Sequence, residues 1–205
     1  PFQAAAIHGG PGAPGSAIGL TREMARYCGT LEPWQTGFSI QEQIEELAEQ
    51  LQKNGNLPMV LVGHSWGAWL AALTAESHAD LVSGLILVGC PPLEERFVPC
   101  IASRRRAKLS PAERLKFERL IALLENGEKQ AGGGPLRELE ILMKKADACA
   151  PLPEPDSVMQ VDMEQHVAIW NEAADLRRSG ELLCRFQALR TPVVLIQGEE
   201  DPHPV

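Results

Sequence analysis

An α/β architecture is what the 205 residues predict: a mostly parallel sheet flanked by helices, with a helical region inserted into it. Three observations carry that prediction. Short apolar runs at 2–7, 58–62, 81–88 and 191–196 are separated by longer stretches of helical pattern, as parallel strands joined by crossovers require. The run at 58–62 breaks at Gly63-His64-Ser65-Trp66-Gly67 and resumes as helix-like sequence, a strand-to-helix turn with a serine between two glycines. Between Pro91 and about Leu189 the strand signal vanishes and only helices with their own start and stop marks remain.

Taken in order, Phe2–Ile7 is a buried strand that runs directly into His8-Gly9-Gly10-Pro11-Gly12, a tight loop where backbone must approach something closely. Its Gly10–Pro11 bond is a candidate for the cis form, which only a pre-proline bond adopts cheaply. Ser39-Ile-Gln-Glu42 is a capping box, and Ile44, Leu47, Ala48 and Leu51 follow at helical spacing until Asn54-Gly55. The elbow strand and its helix come next, then a buried strand over Leu81–Val88. In the insertion, Ser110-Pro-Ala-Glu113 starts a helix striped by Phe117, Leu120, Ile121 and Leu124 that stops at Asn126-Gly127. Gly132-Gly-Gly-Pro135 resets the chain before a second helix carrying Leu136, Leu139, Leu142, Met143 and Ala146. Pro151-Leu-Pro-Glu-Pro155 is a stiff connector to a third helix striped by Met163, Val167, Trp170 and Ala174. Thr191–Ile196 closes the pattern as a further buried strand ending at Gly198. The implied division is 1–90 as the first part of the core, 91–188 as the helical insertion and 189–205 as the last strand and its loop.

Composition narrows the function classes. A net charge of −8 disfavours binding to a phosphate backbone, and the one basic run, Arg104-Arg105-Arg106-Ala107-Lys108, reads as a solvated helix face. No apolar run reaches the ~18 residues of a membrane helix, and no charged-then-apolar leader stands at Pro1. Cys28, Cys90, Cys100, Cys149 and Cys184 are odd in number and irregularly spaced, so free thiols in a reducing, cytoplasmic setting are expected, with no metal site and no cofactor. Neither a nucleic acid nor a membrane is an expected partner, and oligomeric state is not indicated.

The chemistry centres on Ser65. Gly63 and Gly67 lack side chains where strand and helix nearly touch, and the central serine is forced outward at the carboxyl end of the strand. A serine hydroxyl is a poor nucleophile near neutral pH; it needs a base, a group orienting that base, and donors for the oxyanion formed on attack. Trp66 supplies one amide at the helix N-terminus, and Gly10 the second, with Gly9 as the alternative. His8 reads as a brace for the loop. After the last strand, Gly198-Glu199-Glu200-Asp201-Pro202 places carboxylates just past a strand end; Asp201 is the candidate acid because its proline fixes the turn, with Glu199 and Glu200 as competitors. On the residues alone, a glycine-serine turn without chemistry and a solvated acidic loop are the competing readings.

With an oxyanion loop, a serine elbow and a late aspartate in that order, the chain resembles the α/β-hydrolase superfamily, and HGGPG at 8–12 with GHSWG at 63–67 is similar to the proline iminopeptidase group. The resemblance implies that the helical insertion is a cap shaping the substrate pocket. It further implies a serine hydrolase forming an acyl-enzyme on Ser65, with Asp201 orienting a histidine and a small-molecule or short-peptide substrate, such as a peptide with N-terminal proline. Cap acids such as Glu164 and Glu172 could neutralise that substrate's amine, or simply face solvent. A carboxylesterase of small esters is the near alternative; a non-catalytic hydrolase-like domain binding a ligand in the same cleft is the other. Dehalogenase and epoxide hydrolase readings fail because those relatives carry an aspartate where Ser65 stands.

Two departures stand beside this resemblance. The base in that family is a histidine later than the acid, and none of His8, His64, His78, His166 or His203 occupies its position; His203, two residues from Asp201, reads as loop structure. That family usually has two strands before the HGGPG strand and a D-x-R-G-x-G loop after it, whereas this chain begins at Pro1 and offers Glu32–Gly37 in place of that loop. The expectation is a hydrolase truncated at both ends, nearly inert as written.

Overall fold

The computed structural model describes residues 1–125, 134–150 and 161–204. The sheet has five parallel strands: β1 (Phe2–Ile7), β2 (Thr30–Leu31), β3 (Gly55–His64), β4 (Val82–Val88) and β5 (Val193–Ile196), in the order β2-β1-β3-β4-β5. Register fixes what the sheet presents. Ile7 pairs with Gly63, His64 with Val88, and Val88 with Ile196, so four strands finish level and the loops leaving β1 and β3 emerge side by side. Ligands of open α/β sheets bind at this carboxyl edge.

The helices are α1 (Ile18–Met24), α2 (Ile40–Asn54), α3 (Trp66–Ser77), α4 (Val98–Lys108), α5 (Pro111–Glu125), α6 (Gly134–Asp147), α7 (Met163–Arg178) and α8 (Glu181–Gln187). Both halves of the Ser39/Glu42 capping box are formed, and α2 buries Ile40, Ile44, Leu47, Ala48 and Leu51. The helix after the elbow, α3, is buried on all sides from Trp66 to Ala75, so it runs through the centre of the core. Among the described residues no helix is long and apolar enough to cross a membrane.

Packing divides the described chain into two compact units, residues 1–95 with 161–197, and residues 96–150 with 198–204. This departs from the expected split at 91–188. The helices α7 and α8 belong with the sheet because Ile169, Ala173 and Leu182 are buried in its core cluster. The second unit has its own core of Leu109, Phe117, Leu120, Leu139, Leu142 and Ala146, which bears out the two stripes expected there. It also contains the acidic loop that follows β5.

Other expectations are corrected. The strands β2 and helix α1 were not anticipated: two residues are too few for a periodic pattern, and Ala17 gives α1 no side-chain cap. Among the described residues β5 stands at the end of the strand order, and its Val193, Val194, Leu195 and Ile196 are 45–56% exposed where a buried strand is expected. The buried face of α7 is Gln165, Ile169 and Ala173, while Met163 and Val167 are exposed. The cis bond among the described residues is Leu57–Pro58, not Gly10–Pro11. The stop at Asn126-Gly127, the reset at 132–133, the connector at 151–155 and the side chains of Leu124 and Leu136 lie outside the described residues.

Candidate active site

Ser65 lies between β3 and α3 with φ +53° and ψ −118°, the one described non-glycine residue at positive φ. That conformation is strained for an L-residue and persists only where its surroundings over-determine it. Here they do. The Ser65 amide donates to the Val88 carbonyl at 2.9 Å and its own carbonyl accepts from the Ala68 amide at 2.9 Å. A side chain at Gly63 would fall on the Gly67 carbonyl, and one at Gly67 on the Ile7 and His8 carbonyls, so β1, β3 and α3 touch backbone to backbone. Ser65 itself is half-buried. Trp66, as the first residue of α3, has an amide with no intrahelical acceptor.

The neighbouring loop is held from several sides. Gly10 is half-buried at φ +60°, and its carbonyl accepts from the Ala13 amide at 3.2 Å. The Ser16 hydroxyl donates to the Gly9 carbonyl at 3.3 Å, and a side chain at Gly9 would come within 2.7 Å of His64 Nδ1, so the exposed His64 ring lies against this loop. The start of α7 docks on the other end: the Asp162 amide donates to the Gly12 carbonyl at 2.8 Å, and His166 Nδ1 lies 3.0 Å from the Pro11 carbonyl. Asp162 also caps α7 through the Glu164 and Gln165 amides at 3.0 Å each. His8 is only 1% exposed, its Nδ1 3.3 Å from the Gly9 carbonyl, and burial pushes its pKa down, so it is a neutral brace.

Beneath the elbow is a buried amide network that the sequence reading missed. Trp66 Nε1 donates to Gln43 Oε1 at 3.1 Å, Gln43 Nε2 to the Gly37 carbonyl at 3.0 Å, and Gln165 Nε2 to the Gly37 carbonyl at 3.0 Å and the Gln35 carbonyl at 3.2 Å. Trp66, Trp69 and Trp170 meet edge to face with centroids 6.0–6.3 Å apart. Glutamines carry no hydrophobic signal, and their pairing across 23 and 128 residues has no spacing to read. Glu172, a candidate partner for a substrate amine, instead accepts the Ile40 amide at 2.8 Å; Glu164 is exposed in the first turn of α7.

Asp201 sits in the second compact unit, in a turn closed by its amide donating to the Gly198 carbonyl at 3.0 Å. Its Oδ1 accepts the His203 amide at 2.8 Å and lies 2.9 Å from His203 Nδ1. The basic run is not simply a solvated face. Arg104 donates to the Asp201 carbonyl at 3.1 Å and Lys108 to the Glu200 carbonyl, while Arg105 binds Asp147 through two contacts of 2.6 and 2.8 Å and Arg106 lies 3.2 Å from Glu118. All five cysteines are free; burial pushes the Cys90 thiol up to about 12, which makes it inert. The described residues hold no cluster of His, Cys, Asp and Glu suited to a metal ion.

The elbow, the glycine loop beside it and the parallel sheet beneath agree with a family model, described as the alpha/beta hydrolase family, that matches residues 8–205. The chain belongs to the alpha/beta hydrolase family. Its curated relatives include the pimeloyl-[acyl-carrier protein] methyl ester esterase of Vibrio vulnificus strain YJ016, 30% identical over 138 residues, covering 60% of this chain and 52% of that one. The enzyme of the same name from Vibrio atlanticus strain LGP32 is 30% identical over 128 residues, covering 58% and 47%. This hydrolase chain therefore spans about half the length of the curated relatives it matches. Among solved structures, VinJ shares its fold with a TM-score of 0.64 at 18% identity, covering 98% of this chain and 75% of that one. The meta-cleavage product hydrolase of Pseudomonas fluorescens IP01 does so with a TM-score of 0.56 at 14% identity, covering 98% and 74%.

Proposed function

We propose that the whole protein is a serine hydrolase that cleaves an acyl bond through an acyl-enzyme on Ser65, with small or short-chain acyl esters as its first substrate class. The observation that carries this is the strained Ser65 backbone at the junction of β3 and α3. Strain of that kind is not needed to turn a chain, and it serves to present a side chain. In the proposed reaction the Ser65 hydroxyl attacks the carbonyl carbon while a histidine base takes its proton, and the Trp66 and Gly10 amides donate hydrogen bonds to the oxyanion. Collapse of the tetrahedral intermediate expels the alcohol, protonated by the same base, and water then releases the acid by the reverse route. The resemblance of the loop after the last strand supports Asp201 as the group that would orient that base. The curated relatives' names, methyl ester esterases, support an ester substrate. The paired HGGPG and GHSWG motifs support a second reading, an aminopeptidase acting on N-terminal proline.

A fluorophosphonate probe tests the reaction class. The full-length protein is expected to be labelled, and Ser65→Ala to abolish labelling and lower kcat by a factor on the order of 10⁶. Comparing a butyryl ester with a prolyl anilide then separates the two substrates, with faster ester turnover expected. Absence of labelling would favour a ligand-binding domain instead.

A further inference from the structure

We infer that Gln43 is a positioning residue for the oxyanion-binding amide of Trp66, acting through the indole of the same residue. The inference rests on the serine-hydrolase reading above.

Trp66 is asked to do two things with one backbone: to anchor the start of α3 and to offer its amide to the reacting oxygen. The usual restraint on a helix start is absent, because Ser65 at the cap position makes no side-chain hydrogen bond to the first turn. What holds the turn is the Ser65 pair of backbone bonds and the Trp66 side chain, which is fully buried. Its edge-to-face contacts with Trp69 and Trp170 restrain where the ring lies, yet such contacts are soft against rotation and sliding. The directional anchor is the bond from Nε1 to Gln43 Oε1.

That anchor is itself fixed. Gln43 is 1% exposed, and its Nε2 must face the Gly37 carbonyl, an acceptor only, which forces Oε1 toward the indole. The Gly37 carbonyl is shared with Gln165, itself 3% exposed, so the anchor is braced from α7 as well. Oxyanion donors act at 2.7–3.1 Å from where the charge develops, and a misplacement of about 1 Å can cost on the order of 10²-fold in rate. Releasing the indole lets the first turn of α3 relax, with the loss felt in the transition state more than in substrate binding.

The test uses the full-length protein with a chromogenic butyryl ester and the fluorophosphonate probe, on Gln43→Met, Trp66→Phe and the double variant. Methionine keeps the volume of glutamine without its hydrogen bonds, and phenylalanine keeps an aromatic ring without the indole donor. Expected for Gln43→Met is a fall in kcat of about 10- to 100-fold with KM within about twofold, and slower Ser65 labelling by a similar factor in protein that is folded at the assay temperature. The double variant should be no worse than the poorer single one, because both remove the same contact. If Gln43→Met does not fold, Trp66→Phe against wild type reads the same bond. The proposal is overturned by unchanged kcat, by a loss that only tracks the unfolded fraction, or by single effects that multiply. Should the wild-type serine resist labelling, the hydrolase reading falls and this inference with it; normal wild-type labelling that Gln43→Met does not slow removes the inference alone.

Discussion

At Ser65 about 1–3 kcal/mol of backbone strain is held in place by two hydrogen bonds and by the fit of two glycines. At the start of the facing loop stands His8. It is buried, its Nε2 has no hydrogen-bond partner among the described residues, and burial lowers its pKa. The sign of the consequence follows. Between its lowered folded value and the ordinary 6.5, the unfolded chain binds a proton that the folded one refuses, so stability rises with pH through that window and is lost as pH falls below about 6.5. Urea unfolding at pH 7.5 and pH 5 should show a lower midpoint in acid, and His8→Asn should flatten that difference. A wild-type midpoint that does not fall, or a variant with the same slope, would contradict a neutral buried imidazole.

The crossing of β1, β3 and α3 is the element on which the site depends. Gly67 sits against the Ile7 and His8 carbonyls, and adding one methyl there must push the first turn of α3 away from the strand. Gly67→Ala is expected to destabilise the protein by about 1–3 kcal/mol and to abolish Ser65 labelling in the molecules that still fold. Denaturant midpoints and probe labelling at low temperature check both halves, and a stable variant that labels normally would show that the crossing has slack. This element was legible in the sequence because its constraint is local: glycine, serine and glycine at fixed spacing inside an apolar run. So was α2, whose capping box and stripe are also local. The face of α7 was not, since a stripe through Met163 and Val167 satisfies helical periodicity as well as the true one through Gln165, Ile169 and Ala173. What decides between them is a glutamine with carbonyls to satisfy on another element, a tertiary fact.

Among the described residues two cores share no residue, one around α2, α3 and the sheet, the other formed by Leu109, α5 and α6. The sequence showed where strands cease, which located the second core, but could not show that α7 and α8 return to the first or that residues 198–204 join the second. Those memberships depend on long-range partners: Arg104 and Lys108 on the Asp201 and Glu200 carbonyls, and Ile169, Ala173 and Leu182 on the sheet's core. Separate cores make a separable prediction. Phe117→Ala, 4% exposed in the wild type, should cost about 3–5 kcal/mol, and Leu47→Ala, fully buried, about 2–5 kcal/mol. Because each core closes on itself, the loss of amide protection should stay with its owner: Phe117→Ala should accelerate exchange in α5 and α6 while β1, β3 and α3 keep theirs, and Leu47→Ala should do the reverse. Hydrogen exchange resolved to peptides measures this. Equal loss in α5 and β3 from either substitution would mean that the two cores melt as one, and that the partition in packing has no thermodynamic counterpart.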